Sequence, residues 1–150
     1  MYKQQGFSYL IALFLVSIVA IVSVRAMENI ATTERREKEA ELLWIGQAYK
    51  KAIRQYYENS PGTVKKFPKE LADLLLDDRA TKIARPLRRL YRDPMNLSEE
   101  WGVVRDKEGG IMGIYSLSAA KPIKTAGFPA DVVSFTGATR YSDWHFIYQP

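Results

Sequence analysis

Residues 7–24 read FSYLIALFLVSIVAIVSV, a run with no charge, no proline and no glycine. A helix of that length rises about 27 Å, close to the roughly 30 Å hydrocarbon thickness of a bilayer. The run therefore reads as a helix able to cross a membrane once, and residues 7–26 are predicted to be a transmembrane segment. Ahead of it stands MYKQQG, polar and carrying Lys3 beside the amino terminus, a positive flank that favours keeping this end in the cytoplasm. Arg25 makes the far flank basic as well and weakens the orientation signal. Residues 27–150 are expected on the outer side, as one domain with a modest core.

Past the membrane, residues 28–60 contain no proline and a single glycine, Gly46, among good helix formers. The helix is expected to continue to about Asn59. Its early charges, Glu34, Arg35, Arg36, Glu37, Lys38, Glu39 and Glu41, include a favourably oriented Glu34 to Lys38 pair and read as a solvated or intersubunit face. From Leu42 the pattern changes. Leu42, Ile45, Tyr49, Ala52, Ile53 and Tyr56 recur in steps of three and four and form one apolar stripe that must pack on something. A helix over residues 7–59 is about 80 Å long, more than so small a domain can cover, so its front half needs lipid or other subunits around it.

Ser60-Pro61-Gly62 ends that helix. Pro68 suits the first turn of a second, short helix over residues 69–77, with Leu71, Leu74 and Leu75 inward. Residues 101–105 and 111–116 read as strands around Lys107-Glu108-Gly109-Gly110, a hairpin, and residues 144–148 as a third strand. Residues 119–140 are loop-like and too long for a mere connection. The fold class is thus α+β: a long N-terminal transmembrane helix packed at its C-terminal half on a small antiparallel sheet, with the sheet from about residue 101.

The net charge of +5 is unevenly placed: residues 65–92 hold nine Lys or Arg against four Asp or Glu, whereas residues 93–150 hold five against seven. Arg85, Arg88, Arg89 and Arg92 form a candidate basic contact patch for acidic lipid, an acidic partner or nucleic acid. A solvated face is the simpler account, since Tyr91 alone interleaves an aromatic ring. With no cysteine there is neither a disulfide framework nor a thiolate metal site. His145, the single histidine, lies in an apolar run that suits a packed or edge imidazole better than a general base. Gly109-Gly110 with Gly113 lacks the spacing of a dinucleotide loop. Asp131 and Asp143 lack the spacing of a calcium loop. Trp44, Trp101 and Trp144 read as core and subunit contacts, and Asp93-Pro94 as a turn whose carboxylate caps backbone donors. No enzyme activity, cofactor or metal is expected.

Gly6 followed by Phe7, Ser8, Tyr9, Leu10 and an apolar helix resembles the class III leader of type IV pilins and type II secretion pseudopilins. The resemblance implies that a prepilin peptidase removes residues 1–6 after Gly6 and methylates Phe7. Ile11 departs from the pattern, because the family usually has a glutamate there to pair with a neighbour's amino terminus. This departure favours a minor, tip-located or otherwise specialised member over a major repeating subunit. Phe67-Pro68 with Leu71 and Leu74 is similar to the segment that follows the long helix in pseudopilins. Asp93-Pro94 with Trp101-Gly102 matches the family's Asp-Pro-Trp-Gly passage in part, six residues being interposed. The implied fold is pilin-like.

The function expected from this resemblance is that of an assembly subunit of a type II secretion pseudopilus or related fibre, taking part in protein export. Leu10, Ile11, Leu13, Phe14 and Ile18 would carry helix association. Its partners would be other pseudopilin or pilin subunits, the prepilin peptidase and the inner-membrane assembly platform. Its place would be the bacterial inner membrane, single-pass, N terminus cytoplasmic and C-terminal domain periplasmic. Nucleic acid is not expected as a partner. Three alternatives stay open: a DNA-binding minor pilin gripping phosphates through the arginines, an anchored periplasmic binding domain that never polymerises, and a secretory signal peptide cut near Val24-Arg25-Ala26.

Overall fold

The computed structural model describes residues 5–80 and 83–150, with side chains from Phe7 onward. Most of the leader expected at residues 1–6 lies outside the described residues. One long helix, α1 (Gln5–Glu58), is followed by three short strands, β1 (Gly102–Arg105), β2 (Ile111–Tyr115) and β3 (Phe146–Ile147), which pair antiparallel in the order β1-β2-β3. The architecture is α+β. Contacts divide the chain into two units, Met1–Glu37 and Lys38–Pro150.

In the first unit α1 is apolar and long enough to cross a membrane, and every residue from 7 to 34 is exposed. The serines are reconciled with an apolar surrounding inside the helix itself. Ser17 Oγ donates to the Leu13 carbonyl and Ser23 Oγ to the Val19 carbonyl, each at 2.8 Å. Neither hydroxyl is therefore left unpaired where lipid offers no partner.

In the second unit α1 supplies one wall of the core. Leu42, Ile45, Tyr49, Ala52, Ile53 and Tyr56 are all buried, as their spacing predicts. Opposite them pack Ile111 and Ile114 of β2, Phe146 of β3 and an aromatic cluster in which Phe135 lies parallel on Trp144 at 5.5 Å. Phe146 meets the edge of Phe135 at 5.0 Å. Gly46 is what lets the sheet come this close to the helix: a Cβ built there would lie 2.4 Å from ring atoms of Phe146.

The β1–β2 hairpin is tied by Asp106, whose Oδ1 accepts from the backbone of Glu108 and Gly110 at 3.0 and 2.7 Å, with Gly109 at φ 83°. A bulge between Val104 and Arg105 shifts its register. The third strand is shorter than the expected 144–148. A 3-10 turn at Tyr141–Asp143 holds Trp144 at its exit, and Asp143 Oδ2 accepts from the backbone N–H groups of Thr139 and Arg140. Pairing with β2 therefore starts only at Phe146.

The second helix expected at residues 69–77 is instead a single 3-10 turn, Leu71–Leu74. Asp73 Oδ2 accepts from the backbone of Lys69 and Glu70, which closes the turn. Beyond it the chain is drawn out, because Asp77 and Ala84 exchange backbone hydrogen bonds at 2.8 and 2.9 Å. Leu74 is buried, while Leu71 and Leu75 are half-buried. Another 3-10 segment, Ala130–Phe135, lies inside the long stretch 119–140 and puts Val132 and Phe135 into the core.

Candidate assembly surfaces

Gly6 and Phe7 stand in the first turns of α1, with Phe7 exposed. Leu10, Ile11, Leu13, Phe14 and Ile18 are likewise exposed. Phe7, Ile11, Phe14 and Ile18 fall at i, i+4, i+7 and i+11, so they share one side of the helix. A protein in water does not display such a surface without a cover.

On the head, Arg85, Arg88 and Arg89 are exposed. Arg92 is not available in the same way: its Nη2 and Nε both donate to Glu99 Oε1, at 2.6 and 3.1 Å. The guanidinium of Arg89 lies over the Tyr91 ring at 4.9 Å. Tyr91 also receives the edge of Trp44 at 5.3 Å, and Trp44 is 59% exposed. Behind them Tyr49 fixes the backbone: its hydroxyl accepts from the Tyr91 N–H at 3.0 Å. Burial pushes the Tyr49 phenol above its ordinary pKa. Trp101 Nε1 donates to the Tyr91 carbonyl at 2.8 Å.

A groove runs beside this ladder, with Lys38, Ile45, Arg89, Tyr91, Pro94 and Leu97 among its walls. Asp93 shapes its far side. Buried completely, Asp93 accepts from the Met95 N–H at 2.9 Å through Oδ1 and from Ser116 Oγ at 2.6 Å through Oδ2. The cap expected of Asp93 is present, and it also joins the loop to the end of β2. The Leu97 N–H donates to the Asp93 carbonyl at 2.7 Å, which leaves Leu97 at φ 57° with 70% of its surface exposed.

Three residues that organise the head are absent from the sequence-derived set. Glu39 was expected on a solvated face, yet it is 3% exposed. Its Oε1 accepts from the Ile123 N–H at 2.5 Å, the Lys124 N–H at 3.2 Å and the Tyr141 hydroxyl at 2.8 Å. It clamps the 119–140 stretch to α1. The signal was available, since Glu39 precedes Leu42 by three and continues the buried stripe. The expected Glu34–Lys38 ion pair is not among those formed by the described residues.

Asp77 and Arg79 close the end of α1. Arg79 Nε and Nη2 reach the two oxygens of Asp77 at 2.7 and 2.9 Å, and Nη2 also donates to the Tyr56 carbonyl at 2.7 Å. Lys65 Nζ donates to the carbonyls of Glu58 and Ser60, each at 2.9 Å. Positive charge thus meets the negative end of the helix dipole and its unpaired carbonyls. The Arg79 guanidinium holds the Asp77 carboxyl below its usual pKa, and Asp77 raises that of Arg79.

His145 is exposed, its ring against Tyr115 at 4.7 Å. Asp131 accepts from Gln47 at 2.6 Å. The backbone N–H of Arg140 leads the contacts that hold Asp143 below the ordinary carboxylate pKa. Among the described residues no three His, Asp or Glu side chains are grouped to hold a metal ion. Comparison with protein families, with curated proteins and with solved structures finds no match to this chain.

Proposed function

We propose that the chain is an assembly subunit of a pilin-like fibre: a type II secretion pseudopilus, or a related type IV pilus-like fibre. It is anchored in the bacterial inner membrane by α1, with its N terminus cytoplasmic and its head periplasmic. A prepilin peptidase cuts after Gly6 and methylates Phe7. What supports this reading is one helix with two kinds of surface: residues 7–24 are apolar and wholly exposed, and residues 42–56 form the core wall of a small α+β head.

The mechanism is mechanical. In lipid, the apolar face is already solvated by hydrocarbon, so helix association draws on packing and on lipid released rather than on the hydrophobic effect. Helices that bundle through Phe7, Ile11, Phe14 and Ile18 carry their heads into series, and the heads set order.

Intact mass and N-terminal sequencing of the membrane-extracted chain test the processing step. A chain starting at methylated Phe7 is the expected result; one that keeps Met1, or starts at Met27, defeats the proposal. A Phe14→Cys chain should also yield helix-to-helix disulfide dimers in membranes, since the protein has no cysteine of its own.

A further inference from the structure

Asn96-Leu97-Ser98 is an Asn-x-Ser tripeptide whose middle residue is not proline, the pattern read by asparagine glycosyltransferases. The chain has two other asparagines, and neither begins such a pattern: Asn29 is followed by Ile30-Ala31, and Asn59 by Ser60-Pro61. Asn96 and Leu97 are both exposed, in the connection between two elements rather than within one. A bulky sugar can be carried only at a surface of this kind.

The turn that presents them closes on itself. The Leu97 N–H donates to the Asp93 carbonyl at 2.7 Å, and the Asp93 N–H to the Ser98 carbonyl at 2.8 Å. At the tip, Asn96 Oδ1 accepts from the Ser98 N–H at 3.0 Å, which identifies the oxygen end of the amide. Asn96 Nδ2 has no hydrogen-bond partner among the described residues. A turn of this type needs only the oxygen, and an aspartate would serve it as well. What asparagine adds is the unengaged nitrogen, the atom that glycosyl transfer uses. Two residues on, Ser98 Oγ accepts from the Glu100 N–H at 3.0 Å, and its own proton is left for a second partner. Leu97, 70% exposed, stands next in the chain as apolar surface that a first sugar ring can cover.

We propose that Asn96 is a site of N-linked glycosylation, taking its sugar from a diphosphate-activated donor. In the transfer, Nδ2 forms a bond to the anomeric carbon of the sugar. The bond from that carbon to the diphosphate oxygen breaks, its electron pair leaves with the diphosphate, and one Nδ2 proton passes to a base of the transferase. The diphosphate is carried on a lipid or on a nucleotide, and the chemistry at Asn96 is the same for both. The inference goes beyond the assembly reading and does not rest on it, because any head that a transferase can reach presents the same turn.

The test is peptide mass spectrometry on the full chain, extracted in detergent from the membranes of the cell that makes it. Trypsin cuts after Arg92 and Arg105 and releases residues 93–105 as one peptide. The expected peptide is heavier than its sequence by whole sugar residues, with fragment ions placing them on Asn96. Asn96→Asp keeps the acceptor for the Ser98 N–H but lacks the nitrogen, so it should lose the sugar while tryptophan emission stays that of the folded head. Ser98→Ala should lose the sugar and Ser98→Thr should keep it. Sugar absent from newly made chains until they enter the membrane supports a lipid-linked donor, and sugar already on them supports a nucleotide-linked one; both support the site. A peptide of unmodified mass overturns the inference, as does sugar that persists in Asn96→Asp. The same spectra read the N terminus: an unmodified peptide in a chain starting at methylated Phe7 removes this inference and leaves the assembly reading standing, whereas a glycosylated chain that keeps Met1 does the reverse.

Discussion

Gly46→Ala isolates the packing of helix on sheet. In an exposed helix the change stabilises, by about 1 kcal/mol, because glycine is the poorer helix former. Here the added Cβ would stand 2.4 Å from Phe146 ring atoms, well inside contact distance. The ring has nowhere to go, being fully buried with Phe135 at 5.0 Å. Overpacking of this kind costs about 1–3 kcal/mol. Set against that gain of about 1 kcal/mol, the net expectation is a loss of up to about 2 kcal/mol, or a Tm lower by up to roughly 8 °C for a domain of this size. The detergent-solubilised full chain reports it through tryptophan emission, since Trp144 and Trp101 are buried and redden on unfolding. Phe146→Ala removes the obstruction at a cost of its own, about 3–5 kcal/mol. In that background Gly46→Ala should change sign and stabilise by about 1 kcal/mol. A Gly46→Ala chain that melts higher than the parent, or a double variant showing no sign reversal, refutes the reasoning.

Glu39→Ala removes the acceptor shared by the backbone N–H groups of Ile123 and Lys124 and the Tyr141 hydroxyl. It should cost about 2–4 kcal/mol and open residues 119–140 to limited proteolysis ahead of the rest of the head. Arg79→Ala strands the buried Asp77 carboxylate and uncaps α1; a loss of about 2–3 kcal/mol by urea titration is expected. Asp77 has a folded pKa below its unfolded value of about 3.9. Its contribution is therefore present above that pH and is lost as pH falls through the folded value. An Asp77→Asn chain should accordingly show a shallower fall of Tm below pH 4 than the parent. Ile18→Arg puts a charge near the middle of the apolar run at about 2.5–3.5 kcal/mol and should release part of the chain to carbonate extraction.

How far the sequence foretold these features depends on how local their causes are. The stripe from Leu42 to Tyr56 was legible because periodicity alone sets which side of a helix is buried. The hairpin was legible because Gly109 and Asp106 make its turn within five residues. The helix expected at 69–77 failed for a reason outside its own window: Ala84 pairs with Asp77 and pulls the chain straight. Residues 144–148 failed as a full strand because Asp143 holds the chain in a turn up to Trp144. The arginines were found as exposed side chains, but Trp44 at the Tyr91 ring was not foreseen. Those two residues are remote in sequence and meet only once the fold exists. The burial of Glu39 follows from its register, three residues before Leu42, and not from its charge. The apolar run itself was legible because hydropathy needs no tertiary information.

Leu97 carries a final consequence. Its backbone sits where glycine would rest without strain, and its side chain is held in water. Relaxing the first would be worth roughly 1 kcal/mol and removing the second would cost the core nothing. Stability alone therefore favours another residue at this one position, and a search for hardier variants would discard Leu97 among its earliest choices.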